Sequence, residues 1–279
     1  MGVMNLSSVH EPAFGIAMYI PTCDNGLEEI LKRLLVESGG SAVGRQMSYY
    51  DTMARDSDHT SRLQKIKPPT LDLLFQESIA GTYSCISVYD RKGEGSDDFV
   101  NLSVRIIQDS DTADMHRITV IGTRSMFSQE VLAYLRWALS CIEIGYGFIV
   151  VGAYECVLDV ANTINVVFPM WYMDKPNPTY LIAQEISFYN GRDSLIGQFD
   201  RKIPRANWGN ILSQAHVAGL GGEERIRAEC GCFLVERWGE NLYLQLTESP
   251  WDVTKEQLTA LNDYFQPIRF PGAPDPVYF

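Results

Sequence analysis

The spacing of apolar and polar positions divides the chain into short strands and amphipathic helices. Phe14–Ile20 is apolar, rich in β-forming residues and stopped by Pro21, which predicts a strand. Asp24 then offers an N-cap to a helix over Asp24–Ser38. Leu27, Ile30, Leu31, Leu34 and Leu35 recur there at helical spacing, and Gly39-Gly40 ends it. Arg45–Tyr50 reads as a second strand, and the polar, aperiodic Asp51–Lys67 reads as a loop. Pro68-Pro69 opens another helix that carries Leu71, Leu74 and Phe75 and ends near Gly81. Tyr83–Tyr89 and Val100–Ile106 alternate, with Val100, Leu102, Val104 and Ile106 on one face of the second run. The Gly- and acid-rich Asp90–Asp98 turn joins them, and Arg117–Gly122 adds a neighbouring strand.

In the next segment, Ser128 caps a helix with Glu130 in its first turn, where an acid favours the helix dipole. Its stripe is Val131, Leu135, Ala138 and Ile142, widened by Leu132 and Leu139. Gly145–Gly152 reads as a buried strand and Glu155–Asn165 as helical. Pro169–Pro178 is irregular, and Arg192–Ile211 mixes loop with a short helix. Cys232–Trp238 and Leu242–Leu246 flank Gly239-Glu240-Asn241, a hairpin signal. Thr254 and Gln257 form a capping box before a helix whose stripe is Leu258, Leu261 and Phe265.

Strands and helices therefore alternate irregularly with at least two antiparallel hairpins. That order predicts an α+β fold: one compact domain over residues 1–266, with an antiparallel-rich or mixed sheet packed by helices. Residues 267–279, with prolines at 267, 271, 274 and 276, are expected to form an extended tail.

Charge narrows the possible partners. Lys plus Arg number 23 against 35 Asp plus Glu, a net charge of −12. Such a field disfavours phosphate backbones and anionic membranes and attracts a basic protein surface. The Asp90–Asp114 stretch is densest, with seven acids against three bases. Glu94, Asp97, Asp98, Asp109, Asp111 and Asp114 are the candidate partner-binding residues, because recognition concentrates on loops held by a rigid sheet. Asp56/Asp58 and Glu223/Glu224 are alternative acidic pairs. No leader-like run opens the chain, so the cytoplasm is the expected location.

Catalytic and cofactor signatures are missing. There is no GxSxG elbow, no GxxxxGK[ST] loop and no GxGxxG. Gly219–Gly222 is followed by two glutamates and reads as a turn. The four histidines show no metal-ligand spacing, and Cys230-Gly-Cys232 is not a CxxC. Neither a metal nor an organic cofactor is expected, and no enzymatic activity. The alternative is a hydrolase with dispersed carboxylates, since opposed acids across a cleft leave no mark in sequence.

Several motifs follow one another in a set order. They are Leu132-Ala-Tyr-Leu-Arg-Trp137, Gly145-Tyr-Gly-Phe148, Ile203-Pro-Arg-Ala-Asn-Trp208, Gly219-Leu-Gly-Gly222, Leu244-Gln-Leu-Thr-Glu-Ser-Pro250 and Pro267-Ile-Arg269. Between about Ser128 and Arg269 this order resembles a family of bacterial type VI secretion immunity proteins. The resemblance implies a protein that neutralises a cognate toxin, and members often accompany cytoplasmic nucleases of restriction-endonuclease type. An acidic chain suits a nuclease site built to receive phosphates.

Overall fold

The computed structural model describes residues 12–21, 41–42, 45–46, 48–54, 64–67, 70–79, 82–89, 102–109, 115–124, 127, 129–153 and 198–276. The expected helix over Asp24–Ser38, the Asp90–Asp98 turn, the Glu155–Asn165 helix and the Pro169–Pro178 segment lie outside them.

The fold is α+β. Its strands are β1 (Pro12–Pro21), β2 (Ser41–Ala42), β3 (Arg45–Gln46), β4 (Tyr49–Ala54), β5 (Gln64–Lys65), β6 (Tyr83–Tyr89), β7 (Leu102–Asp109), β8 (Met115–Thr123), β9 (Tyr146–Ala153), β10 (Gly209–Leu212), β11 (Leu234–Trp238) and β12 (Asn241–Gln245). The helices are α1 (Thr70–Ile79), α2 (Gln129–Cys141), α3 (Gln214–Gly219), α4 (Glu223–Glu229) and α5 (Lys255–Tyr264). Ten strands form one sheet in the order β11-β12-β10-β9-β1-β8-β7-β6-β4-β5, and every neighbouring pair runs antiparallel. β2 and β3 make a separate ribbon.

β1 holds the sheet together. It pairs with β8 on one side (Ile16↔Val120) and β9 on the other (Ile16↔Ile149). Every residue from Phe14 to Ile20 is buried. Side chains alternate along a strand, so Phe14 and Tyr19 point to opposite faces. The Phe14 ring meets Phe127 edge-on at 5.1 Å, and the Tyr19 ring meets Phe199 at 4.6 Å. A strand covered on both faces has no polar side to show, which is why its sequence is an unbroken apolar run.

The stripe of α2 faces the core as its spacing demands. Val131, Leu135 and Ala138 are fully buried and Ile142 nearly so. The capping box of α5 also forms as read. The Thr254 backbone N–H donates to Gln257 Oε1 at 2.9 Å, and the Gln257 N–H donates to Thr254 Oγ1 at 3.2 Å. That helix buries Leu261, and Phe265 follows it into the core.

Four local expectations are corrected. Residues 51–54, read as loop, continue β4, and Gln64–Lys65 pairs with it as β5. The strand was hidden by polar residues: Thr52 is buried while its neighbours Asp51 and Met53 are half-exposed. β7 runs on past Ile106, because its pairing with β8 continues to Asp109↔Met115. In the stretch assigned to mixed loop and helix, Gly209–Leu212 is a fully buried strand. The tail does not leave the fold at Pro267. Gln266–Ile268 forms a 3-10 turn, and Ile268 and Phe270 are buried. Ile203 N–H donates to the Ile268 carbonyl at 2.9 Å, which ties this return to the body of the protein.

Candidate functional site

Five of the six acids assigned to partner binding, Glu94, Asp97, Asp98, Asp111 and Asp114, lie outside the described residues. Asp109 is the last residue of β7, opposite Met115, so it stands where the chain leaves the sheet toward β8. The pair Asp56/Asp58 also lies outside. Only Glu223/Glu224 can be inspected in full, at the start of α4.

Glu223 is not a free negative charge. Arg227, one turn later, donates to its Oε1 from Nε at 3.0 Å and Nη2 at 2.6 Å. Arg237 on β11 donates to Oε2 from Nε at 2.9 Å and Nη2 at 2.6 Å. The Arg227 bond, followed by that of Arg237, holds the carboxyl below its usual range. Each guanidinium places two N–H groups on a single carboxylate oxygen, Arg227 on Oε1 and Arg237 on Oε2, and these charge-assisted bonds are stronger than neutral ones. Arg227 also donates to the Val235 carbonyl, so this network fastens α4 to β11. From the neighbouring position of β11, Glu236 pairs with Arg136 of α2. The surface around α4 and β11 is therefore charge-balanced.

The buried polar groups concentrate around α3, which sequence reading did not anticipate. Ser213 is its N-cap and His216 its third residue. The Ser213 backbone N–H donates to His216 Nδ1 at 3.2 Å, and the His216 N–H donates to Ser213 Oγ at 3.4 Å. Ser213 Oγ in turn donates to the Asp200 carbonyl at 2.6 Å. This is a capping box with histidine in the position usually held by Glu or Gln. His216 is fully buried. Burial is the main reason its pKa falls to about 4, against opposing pulls from the Lys202 backbone and Asp200. Serine and histidine lie close, at 3.0 Å between Oγ and Nδ1. The hydroxyl proton, however, is directed at a carbonyl, and Nδ1 already accepts from the backbone. The pair is arranged to cap the start of a helix rather than to activate a nucleophile.

The motif residues singled out in sequence come together as scaffold. Trp208 is buried, and its indole N–H reaches Thr247 Oγ1 at 3.0 Å. Its carbonyl accepts from Leu246 N–H at 2.9 Å. Tyr146 O–H donates to the Arg205 carbonyl at 3.0 Å, and the Ala206 N–H donates to Asn262 Oδ1 at 3.3 Å. Gly147 has no room for a side chain: an added Cβ would lie 2.9 Å from Ile144 and Ile211 and 3.1 Å from the Ala17 carbonyl. Gly219–Gly222 makes the turn between α3 and α4, with Gly221 and Gly222 at φ +91° and +100°. These residues hold β9, β10, β12 and the return of residues 266–270 against one another.

The fold has a counterpart among solved structures. The chain superposes on "Pseudomonas aeruginosa T6SS protein PA0821" with a TM-score of 0.58, covering 92% of this chain and 73% of that one at 13% sequence identity. At that identity the likeness establishes the fold alone. No protein-family model and no curated protein sequence matches the chain. Among the described residues no helix is long and apolar enough to cross a membrane. Nor do three or more His, Cys, Asp or Glu side chains gather where they could hold a metal ion.

Proposed function

We propose that this chain is an immunity protein of a type VI secretion system. It binds a cognate toxin, a nuclease acting in the cytoplasm, and neutralises it by covering the active site; it is a binding protein and not an enzyme. The observation that carries the reading is the fold shared over nearly the whole chain with a T6SS protein of Pseudomonas aeruginosa. The ordered motifs from Leu132 to Arg269 point to the same system independently. The mechanism rests on charge. At net −12 the chain complements a basic, phosphate-receiving cleft and accelerates its own association with it. Because Glu223 is held by two arginines, the excess of acid from Asp90 to Asp114 is the better contact region, with Glu94, Asp97 and Asp98 at its centre.

Survival of cells that express the toxin encoded beside this gene tests the reading. Co-expression of this chain should restore growth. Continued killing, with both proteins present and soluble, removes the immunity assignment.

A further inference from the structure

An unused piece of chemistry sits at the joint between α4 and β11. Cys230 is the C-cap of α4, Gly231 follows at φ +69°, and Cys232 comes two residues before the edge strand. A Cβ at position 231 would meet nothing within 4 Å. Glycine is needed there for its backbone conformation and not for space. The resulting turn aims the Cys232 backbone N–H at Cys230 Sγ, 3.4 Å away, and brings Cys232 Sγ to 4.0 Å from the Cys230 carbonyl. The positive φ at Gly231 turns the chain back between them, so both sulfurs sit on one turn. Cys230 is buried and Cys232 half-buried, so Cys232 is the more exposed of the two.

We propose that Cys230 and Cys232 form a peroxide-reactive dithiol, with Cys230 as the attacking sulfur and Cys232 as the resolving one. The Cys232 thiol, donating toward Cys230, holds Cys230 down at about 7, and the Cys232 backbone N–H and Arg227 act in the same direction. The same contact and burial push Cys232 up. Cys230 is therefore the sulfur that attacks first, and Cys232 gives up its proton only in the second step.

In the first step the Cys230 thiolate attacks one oxygen of hydrogen peroxide. The O–O bond breaks, the departing hydroxide takes a proton from solvent to become water, and Cys230 becomes a sulfenic acid. In the second step Cys232 sulfur attacks Cys230 Sγ. The S–O bond breaks, and the hydroxide released leaves as water with the Cys232 thiol proton. Two thiols lose two electrons, and one peroxide is reduced to two waters. A thiol reductant restores the pair by exchange. The disulfide would lock the connection between α4 and the edge strand β11. This proposal does not depend on toxin binding.

Peroxide treatment of the whole protein, followed by alkylation and peptide mass mapping, tests it. The exposed Cys141 serves as an internal reference. At pH 7 Cys230 should be oxidised before Cys141. The peptide carrying both residues should lose two hydrogens and regain them with dithiothreitol. In Cys232→Ser a dimedone-reactive sulfenic acid should accumulate at Cys230, whereas Cys230→Ser should leave Cys232 unoxidised. Two intact thiols at 230 and 232 after Cys141 has been oxidised would overturn the proposal. So would sulfenic acid at Cys232 in the Cys230→Ser variant.

Discussion

Replacing Asn241 with alanine should destabilise the protein far beyond its size. Asn241 is the first residue of β12 and is fully buried. Its Nδ2 donates to the carbonyls of Leu139 at 3.0 Å and Ile142 at 2.7 Å, and its Oδ1 accepts from the Ile144 N–H at 3.0 Å. One side chain therefore satisfies two carbonyls at the end of α2 and one amide on the way into β9. The adjoining Gly239 lies so close to α2 that an added Cβ would be 2.7 Å from the Leu139 carbonyl, which leaves little room for water to substitute. Each buried backbone group left without a partner costs about 1–3 kcal/mol, so partial relaxation still leaves a loss of about 3–5 kcal/mol. That is a large share of the roughly 5–15 kcal/mol that holds a typical domain together. The measurement is the urea midpoint of Asn241→Ala beside Glu240→Ala, whose exposed side chain accepts from the exposed Gln214. The Glu240 control should stay within about 0.5 kcal/mol of the unmodified protein. A loss under about 1 kcal/mol for Asn241→Ala would refute the claim that this side chain fastens the hairpin to α2.

Other outcomes follow from the same geometry. Leu261→Ala, at a site only 1% exposed, should cost about 2–5 kcal/mol in equilibrium unfolding, and a near-neutral result would put α5 outside the core. His216 titrates near pH 4 in the fold and near 6.5 when unfolded, so the unfolded chain takes up a proton that the fold refuses. Its contribution is complete above about pH 6.5 and shrinks as pH falls toward 4, by up to about 3 kcal/mol. His216→Gln keeps an acceptor at the same capping position and should flatten stability against pH in that window; an unchanged profile would show that His216 does not supply the slope. Changing Glu94, Asp97 and Asp98 together to Ser should slow toxin association and reduce its salt dependence while leaving the fold intact, and unchanged kinetics would exclude that segment.

Signals in the sequence were legible where the information was local. The β1 run, the α2 stripe, the β11–β12 hairpin and the Thr254–Gln257 box each depend on residues within a turn or a strand of one another. What was missed depends on distance or brevity. β10 is four residues long and buried throughout, so it shows no period. α3 is six residues, and its box uses His216 where a glutamate or glutamine would have been noticed. Asn241 reads as an ordinary turn residue because its partners at 139, 142 and 144 lie about a hundred positions upstream. The acidic pair Glu223/Glu224 shows the same limit for surface chemistry. Only the arrival of Arg237 from another strand reveals that Glu223 is already engaged. The motifs that resemble secretion immunity proteins prove to be packing residues such as Trp208 and Gly147, so they report the scaffold.

The central claim is tested most directly by equilibrium binding between the purified chain and the toxin encoded beside it, with the toxin's nuclease activity followed in parallel. The account predicts a one-to-one complex of nanomolar affinity, faster to form at low salt, in which nuclease activity is lost in proportion to occupancy. No binding, or a complex that leaves the toxin fully active, would contradict it.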